Sequence, residues 1–253
     1  MKLTGNTILI TGGGSGIGRG LAEAFHRRGN KVIISGRRRA VLEEVLAANP
    51  GMEAVELDIT DPGSIKRVAN DVIAAHPELN VLINNAGIML VDNISSAIED
   101  GVIESQAVTN FMGTLRVTSA FIDHLKTRPE ATVVFNSSQT AFIPLAMFAV
   151  YSATKAAIHS YALSLRFMLK GTSVSVQEIA PPWVGTGLAG DKDDPRAMPL
   201  DKFIAGTMDA LATEAPEILV DEARPFRNAV GPEEHAFVDE VNTFMMSVVA
   251  ETH

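Results

Sequence analysis

Short apolar runs alternate with amphipathic stretches along most of the chain. The runs have the length of buried strands, and most are rich in β-branched residues. The stretches between them have the apolar spacing of helices that cover one face of a sheet. Strands that alternate with helices favour right-handed crossovers and a parallel sheet. We therefore predict an α/β fold with a doubly wound, seven-stranded parallel sheet flanked by helices. The predicted strands are residues 7–11, 31–35, 52–57, 81–84, 132–136, 173–179 and 217–220.

A glycine-rich turn, TGGGSGIGRGL, follows the first predicted strand. Gly12, Gly16 and Gly18 permit a tight turn and a close approach of the backbone to a phosphate. The helix that follows presents unpaired N–H groups and the positive end of its dipole. The spacing T-G-x-x-x-G-x-G differs from the widespread G-x-G-x-x-G pattern. The segment predicts a dinucleotide cradle, although a glycine turn alone also occurs in proteins that bind no nucleotide.

A tyrosine and a lysine four residues apart form the second candidate site. On a helix, Tyr151 and Lys155 lie on one face about one turn apart. A nearby ammonium favours the phenolate, so we expect Lys155 to lower the pKa of Tyr151 from about 10. Ser138 follows the apolar run ATVVF and is expected at the end of a strand, where it could hydrogen-bond a substrate oxygen. These residues alone leave two readings open: a proton-transfer site, or an ordinary helical pair and a serine in a turn.

Together the two segments resemble the short-chain dehydrogenase/reductase family over roughly residues 5–190. Asp58 in VELDIT matches the adenine-pocket aspartate of the family, and residues 84–87, NNAG, match its motif after the fourth strand. The segments IAPPWVGTGL and ISGRRRAVL are similar to the DltE-like oxidoreductases within the family. The resemblance implies a single Rossmann-type domain over residues 1–253 and a nicotinamide cofactor. It also implies a catalytic tetrad of Asn110, Ser138, Tyr151 and Lys155.

The resemblance further implies which residues bind the cofactor. One departure concerns Pro181-Pro182, where the family usually has Pro-Gly, because a proline offers no backbone N–H to a ligand. Thr186 stands where the threonine of the family holds the nicotinamide carboxamide. The predicted cofactor-binding residues are Gly12, Gly14, Ser15, Gly16, Ile17, Gly18, Arg37, Arg38, Asp58, Ile59, Asn85, Ala86, Gly87, Tyr151, Lys155, Pro181, Val184 and Thr186.

Three consecutive arginines, Arg37 to Arg39, follow the second predicted strand. No Asp or Glu stands at the strand end to accept hydrogen bonds from a ribose 2′-hydroxyl. Arginine suits a 2′-phosphate, and cations near a helix start are unfavourable without an anion. We predict that NADP(H) is preferred and that NAD(H) is possible; the alternative is three solvated arginines.

The segment between Ser138 and Tyr151, QTAFIPLAMFAV, has no formal charge and predicts a substrate with an apolar body. A polar, Gly/Pro-punctuated segment follows and predicts a substrate lid around residues 187–215, with residues 187–199 its most polar part. An ordinary surface loop is the alternative. The predicted substrate contacts are Ser138, Phe142, Leu145, Phe148, Tyr151 and Trp183.

Composition narrows the functional classes. A chain of 253 residues, 46% of them hydrophobic, is long enough for one sizeable core. The absence of cysteine excludes disulfides and thiolate catalysis, and the six histidines have no metal-ligand spacing, so we predict no metal. A net charge of −9 argues against a nucleic-acid partner. The longest apolar run has 11 residues, too few for a membrane span. With no apolar leader ahead of the first strand, we expect a cytoplasmic protein.

These observations predict an oxidoreductase that interconverts an alcohol and a carbonyl compound by hydride transfer. Two alternatives use the same fold: a cofactor-binding sensor, which typically lacks the tyrosine or lysine, and an epimerase or dehydratase, which usually has an extended substrate domain. Helices around residues 102–126 and 152–170 have apolar residues on more than one face, so we expect a homo-oligomer, a dimer or tetramer. The residues concerned are Phe111, Leu115, Val117, Phe121, Ala157, Tyr161, Leu165 and Met168.

Overall fold

Seven parallel strands form the centre of the protein, in the order β3-β2-β1-β4-β5-β6-β7. A computed structural model describes residues 1–188, 190, 192–213, 215–232 and 234–250, without the side chains of 248–250. The predicted doubly wound sheet is thereby confirmed. The strands are β1 (Thr7–Thr11), β2 (Lys31–Gly36), β3 (Glu53–Glu56), β4 (Val81–Asn84), β5 (Ala131–Asn136), β6 (Val174–Ile179) and β7 (Glu217–Ile218).

Helices cover both faces of this sheet, which explains why β1, β4 and β5 are buried along their whole length. One face packs against α1, α2 and α7, and the other packs against α3, α5 and α6. The helices are α1 (Gly16–His26), α2 (Arg39–Ala48), α3 (Pro62–Ala75), α4 (Asp100–Gln106), α5 (Thr114–Lys126), α6 (Ala149–Met168), α7 (Leu200–Leu211), α8 (Arg224–Asn228) and α9 (Glu234–Ala250).

The strand order reverses beside β1, which pairs with β2 on one side and with β4 on the other. At such a point the connecting helices lie on opposite faces, and a crevice opens over the carboxyl ends of the strands. The glycine turn, residues 84–87 and Ser138 all follow the carboxyl ends of strands. The fold therefore brings the predicted site residues to one edge of the sheet.

The segment predicted as a lid divides into two parts. Val184 and Met198 form an isolated parallel bridge, and Met198 N donates to Trp183 O at 2.9 Å, so the described residues 185–188, 190 and 192–197 lie between two paired positions. Helix α7 follows and buries Phe203 and Met208 against α1 and the sheet. A lid in this segment stays a prediction. Ala189, Asp191 and Glu214 of the predicted segment lie outside the described residues.

Helix α9 lies at the carboxyl edge of the sheet, beside the segment that joins β5 to α6. Val241 and Met245 pack against a cluster that contains Leu145, Phe148 and Tyr151. None of the helices in the described residues is long and apolar enough to cross a bilayer.

Candidate active site

A cleft of about 1030 Å³ runs along the carboxyl ends of the strands, from the β2–α2 turn to helix α9. Twenty-one of the predicted site residues line it. They are Gly12, Gly14, Ser15, Gly16, Ile17, Arg37, Arg38, Asp58, Ile59, Asn85, Ala86, Gly87, Ser138, Leu145, Phe148, Tyr151, Lys155, Pro181, Trp183, Val184 and Thr186.

The glycine turn forms the floor at the middle of the cleft. Gly12 has φ +67°, and a Cβ there would lie 2.9 Å from Ala86 Cα, so only glycine fits. Gly18 does not line the cleft: its Cβ would lie 2.3 Å from Gly12 O, which makes it a packing residue between α1 and the turn. Its role as a cofactor contact stays a prediction.

The start of α1 fits a dinucleotide phosphate. Its N-cap, Ser15, makes no side-chain capping hydrogen bond within the described chain. Ser15, Gly16 and Ile17 line the cleft, so the helix start, where N–H groups lack intrahelical partners and the dipole is positive, lies at the cleft. Phosphate oxygens are the acceptors that such a helix start binds, so these residues fit the pyrophosphate of a nicotinamide cofactor.

Arginine side chains and a carboxylate line the end of the cleft next to β2 and β3. Arg37 and Arg38 line it, whereas Arg39 pairs with Glu43 on α2, with Nε and Oε1 2.8 Å apart. Burial raises the pKa of Asp58, but hydrogen bonds from Thr60 and the charge of Arg37 outweigh burial and lower it. This end thus combines two exposed cations with an ionised carboxylate, and it matches the adenosine end predicted from the sequence.

A chain of hydrogen bonds joins the glycine turn to Lys155. Asn85 Nδ2 donates to Thr11 O at 3.0 Å, and Asn136 Nδ2 donates to Asn85 Oδ1 at 2.8 Å. The backbone oxygen of Asn136 in turn accepts from Lys155 Nζ at 2.7 Å. These bonds fix the lysine relative to the phosphate-binding turn.

Asn110 lies in a π-helical turn, residues Ala107–Gly113, between α4 and α5. Such turns interrupt helices frequently at functional sites. The Asn110 amide exchanges two hydrogen bonds of 2.8 Å with the backbone of Ile88, and Nδ2 also donates to Thr154 Oγ1 at 3.2 Å. Asn110 is buried behind the cleft, where its side chain ties the loop after β4 to helix α6.

Tyr151 and Ser138 meet at the centre of the cleft. Helix α6 presents the tyrosine, and the buried carboxylate of Asp92 accepts hydrogen bonds from Ala149 N and Val150 N at the start of that helix, at 3.0 and 2.9 Å. Burial raises the pKa of Tyr151 to about 12, while the neighbouring Ser138 side chain lowers it in part. The prediction of a lowered pKa is therefore wrong, because desolvation disfavours the phenolate.

Lys155 Nζ lies close to the tyrosine but is also fully desolvated. Burial lowers its pKa to about 8, although the charge of Glu178 raises it. The ammonium therefore begins to lose its proton just above neutrality. A pKa near the operating pH is a common property of proton-transfer groups in active sites.

The cleft ends in an apolar chamber next to Tyr151. Leu145, Phe148 and Trp183 line the cleft, and their contact with a substrate stays a prediction. Phe142 does not line it: its ring packs edge-on against His159, with 5.0 Å between centroids, and below the guanidinium of Arg227. The chain turns at Phe142 and directs its ring into the interior, so this residue is corrected from a substrate contact to a core residue.

Several residues of the chamber were missed by the sequence reasoning. Met89 and Met147 continue the stretches NNAGIM and IPLAMF, so the neighbouring motifs give a local signal for them. The residues from α8 and α9 are far from every motif in the sequence, and no local pattern indicates that their helices reach the cleft. They are Phe226, Glu240, Val241, Phe244 and Met245.

Thr186 stands at the middle of the cleft, opposite the start of α1. A Cβ on Gly16 would lie 3.2 Å from Thr186 Cβ, so the threonine packs closely against the glycine turn. Pro181 and Pro182 line the same wall, and Pro181 O accepts from Gln139 N at 2.9 Å. This bond fixes the wall relative to the segment that follows Ser138.

Comparisons with known proteins agree with this geometry. A family profile described as short chain dehydrogenase matches residues 6–197. An uncharacterised oxidoreductase, DltE, of Bacillus subtilis is 36% identical over 96% of this chain and 99% of its own length. An 11-beta-hydroxysteroid dehydrogenase 1A of Arabidopsis thaliana is 32% identical over 76% of this chain and 56% of its own.

Solved structures give the same result. A short chain dehydrogenase of Burkholderia cenocepacia in complex with NADP has a TM-score of 0.84 and 26% identity, over 95% of this chain and 98% of its own. A short chain dehydrogenase/reductase of Burkholderia phymatum in complex with NAD has a TM-score of 0.81, over 90% of this chain and 93% of its own. Because its identity is 20%, it supports the fold alone. The profile match and the DltE relative show that this chain belongs to the short-chain dehydrogenase/reductase family and is DltE-like within it.

Proposed function

We propose that the protein is an NADP(H)-dependent oxidoreductase that interconverts an alcohol and a carbonyl compound. The observation that supports it most directly is that Tyr151 and Ser138 line the same part of the cleft, where the Ser138 side chain is near enough to lower the pKa of the phenol. A substrate oxygen bound there would contact both hydroxyls. Lys155, one helical turn from Tyr151, supplies the positive charge beside them.

The side chains have distinct tasks in the reduction direction. The cofactor, when bound, supplies a hydride from its nicotinamide ring. Ser138 holds the carbonyl oxygen, and Tyr151 donates its phenolic proton to that oxygen as negative charge develops on it. A pKa of about 12 keeps this proton on Tyr151 throughout the neutral range, in the state that carbonyl reduction requires. The Lys155 ammonium stabilises the phenolate that remains.

A preference for NADP(H) is supported by Arg37 and Arg38 at the adenosine end. Their guanidinium groups can pair with a 2′-phosphate, which carries negative charge that a ribose hydroxyl lacks. Asp58 Oδ1 accepts hydrogen bonds from Thr60 N and Thr60 Oγ1, at 2.9 and 2.7 Å. The Burkholderia cenocepacia relative was solved with NADP, which agrees with this preference.

A substrate with an apolar body is supported by the chamber beyond Tyr151. Its walls combine Leu145 and Phe148 with Val241 and Met245 of α9. Burial of one side-chain-sized apolar group is worth about 1.5–3 kcal/mol, more than a single neutral hydrogen bond contributes. The loop between Val184 and Met198, which places Leu188 and Arg196 at the cleft, is the proposed lid.

A homo-oligomer formed through α5 and α6 is also part of the proposal. The outer face of α6 exposes Leu163, Phe167 and Met168, the last two by 65% and 74%. Of the residues predicted to be in excess, Val117 and Phe121 belong to the core instead. The remaining apolar surface suits a second copy of the chain.

The function is tested by NADPH oxidation with a panel of ketones and aldehydes, in the wild type and in Tyr151→Phe. We expect turnover in the wild type and at least a 10²-fold lower kcat in the variant, with NADPH affinity nearly intact. Lys155→Ala is expected to harm both turnover and affinity. A Tyr151→Phe variant that retains more than about a tenth of the wild-type kcat contradicts the assignment of Tyr151 as the proton donor. NADPH binding without turnover of any compound in either protein would favour the sensor alternative.

A further inference from the structure

Glu178 is a fully buried carboxylate on β6, behind the active site. Its Oε1 accepts a hydrogen bond from Ser137 Oγ at 2.5 Å, and its Oε2 lies 2.8 Å from His159 Nδ1. A buried carboxylate is costly unless hydrogen bonds and opposite charges compensate it. Both of its oxygens are used in this way, so the side chain has one defined position.

The two partners of Glu178 belong to the two elements that provide the catalytic side chains. Ser137 immediately precedes Ser138 at the end of β5. His159 follows Lys155 by four residues on α6, just as Lys155 follows Tyr151. Tyr151, Lys155 and His159 therefore lie on one face of the helix at successive turns. Glu178 lies below this face and connects it to the serine segment.

Other charged groups near Glu178 largely neutralise each other. Glu217 on β7 binds Arg227 on α8 through two hydrogen bonds, of 2.8 and 3.2 Å. The hydrogen bond to Glu178 raises the pKa of His159, burial and Arg227 lower it, and Glu217 raises it. Lys155 Nζ donates to Asn136 O at 2.7 Å, and the next residue, Ser137, donates to Glu178. The carboxylate of Glu178 therefore lies near both basic groups on this face of α6, His159 and Lys155.

Glu178, Glu217 and His159 each have a possible metal-ligand atom within 4.8 Å of those of the other two. The carboxylate of Glu217 already binds Arg227, and that of Glu178 already binds His159. We therefore interpret the group as an ion-pair network rather than a metal site.

We propose that Glu178 is a positioning residue of the catalytic helix, whose buried negative charge holds Lys155 in its ammonium form and whose hydrogen bonds fix Ser137 beside Ser138. This inference rests on the proposed function, since Lys155 assists Tyr151 only as a cation. The direction of the electrostatic effect agrees: Glu178 raises the pKa of Lys155 against the larger effect of burial. Without the carboxylate, the lysine would lose its proton at a lower pH.

The decisive measurement is the titration of the Lys155 side chain by ¹⁵N NMR, with its resonance assigned by comparison with Lys155→Met. We expect Glu178→Gln to lower the titration midpoint by about one pH unit or more. Glu53→Gln is the matched control, because Glu53 also pairs with a buried histidine, His76, but at the β3 edge of the sheet. The control is expected to keep the wild-type midpoint. An unchanged midpoint in Glu178→Gln overturns the proposal.

A second readout is the pH profile of kcat/KM for carbonyl reduction. The alkaline limb should move to lower pH in Glu178→Gln by the same amount as the Lys155 midpoint. His159→Gln removes a basic neighbour of Lys155 and leaves the carboxylate of Glu178 in place. The alkaline limb of the kcat/KM profile of this variant should therefore not move to lower pH. An equal downward move in both variants would show that lost packing is the cause, and it would overturn the proposal.

The two readouts separate this inference from the proposed function. If the wild type reduces none of the compounds tested, the proposed function fails, while the NMR titration still tests Glu178. If Glu178→Gln does not fold, Glu178→Asp replaces it in the test. The aspartate keeps the negative charge, but its side chain is shorter by one methylene, so the charge lies farther from α6. A smaller downward shift of the Lys155 midpoint is then expected, and no shift contradicts the proposal.

Discussion

Lys155 Nζ lies 5.5 Å from the centroid of the Tyr151 ring. The ammonium is held there by the backbone oxygen of Asn136, at 2.7 Å. In the proposed function, this ammonium stabilises the phenolate through its charge in a desolvated site. That stabilisation depends on the protonation state of the lysine.

Carbonyl reduction is expected to decline as the pH rises through about 8, because Lys155, with its pKa lowered to about 8, loses its charge there. Tyr151, with a pKa raised to about 12, keeps its proton in the same range and is not the group that titrates. The pH profile of kcat/KM measures this limb. A profile that stays flat from pH 7 to 10 would contradict the dependence on Lys155.

The same lysine is expected to reduce the stability of the protein at neutral pH. Its pKa is lower in the folded state, so the folded protein binds fewer protons than the unfolded chain between about pH 8 and 10.5. The destabilisation is fully present below this window and is relieved as the pH rises through it. We expect Lys155→Met to increase the free energy of unfolding at pH 7 by roughly 1–3 kcal/mol.

Urea unfolding at pH 7 and at pH 10.5 measures this effect. The gain in Lys155→Met should shrink at the higher pH, where the wild-type lysine is neutral in both states. Lys170→Met is the control, because Lys170 is exposed at the end of α6 and stacks on Phe167. A larger gain from Lys170→Met than from Lys155→Met would show that the buried charge is not the cause.

Cofactor preference is expected to depend on Arg37 and Arg38 and not on Arg39. Arg37→Ala and Arg38→Ala should each lower kcat/KM for NADPH by about tenfold, since a charge-assisted hydrogen bond contributes about 1.5–3 kcal/mol, and should leave NADH almost unchanged. Arg39→Ala is the matched control because Arg39 pairs with Glu43. Steady-state kinetics with both cofactors decide the matter. A wild-type preference for NADH would refute the assignment.

Two phenylalanines in the segment that joins β5 to α6 are expected to have different effects when mutated, one on substrate binding and the other on stability. Phe148 lines the chamber, and Phe142 packs against His159. In a series of ketones from methyl to phenyl or hexyl, kcat/KM should rise with the apolar group, and Phe148→Ala should remove most of that rise. Phe142→Ala should lower stability by about 3–5 kcal/mol and keep the substrate ranking. A flat or falling series would exclude an apolar chamber as the substrate site.

The exposed end of α6 is expected to mediate self-association. Light scattering at micromolar concentration should give a particle of at least two chains for the wild type, and Met168→Asp should shift it toward one chain. Phe244→Asp is the comparison, because Phe244 is also exposed but lies on α9 at the cleft. A wild type with the mass of a single chain would contradict the homo-oligomer.

The sheet and the cofactor end of the cleft could be predicted from sequence because each depends on a local signal. Buried strands appear as apolar runs, and the glycine turn has a backbone that only glycine permits, as at Gly12. Two features depend on contacts distant in sequence. The pKa of Tyr151 is decided by burial among α9 and the β5–α6 segment, and the position of Phe142 by a turn that its apolar neighbours do not reveal.

Helix α9 places its side chains at the chamber end of the cleft and contributes none to the glycine turn. It also lies beyond residue 197, where the match to the family profile ends. A mutation in this helix therefore changes the wall beside Tyr151 and leaves the phosphate-binding backbone as it is. Substrate choice can be redesigned from α9 while the contacts of the glycine turn are kept.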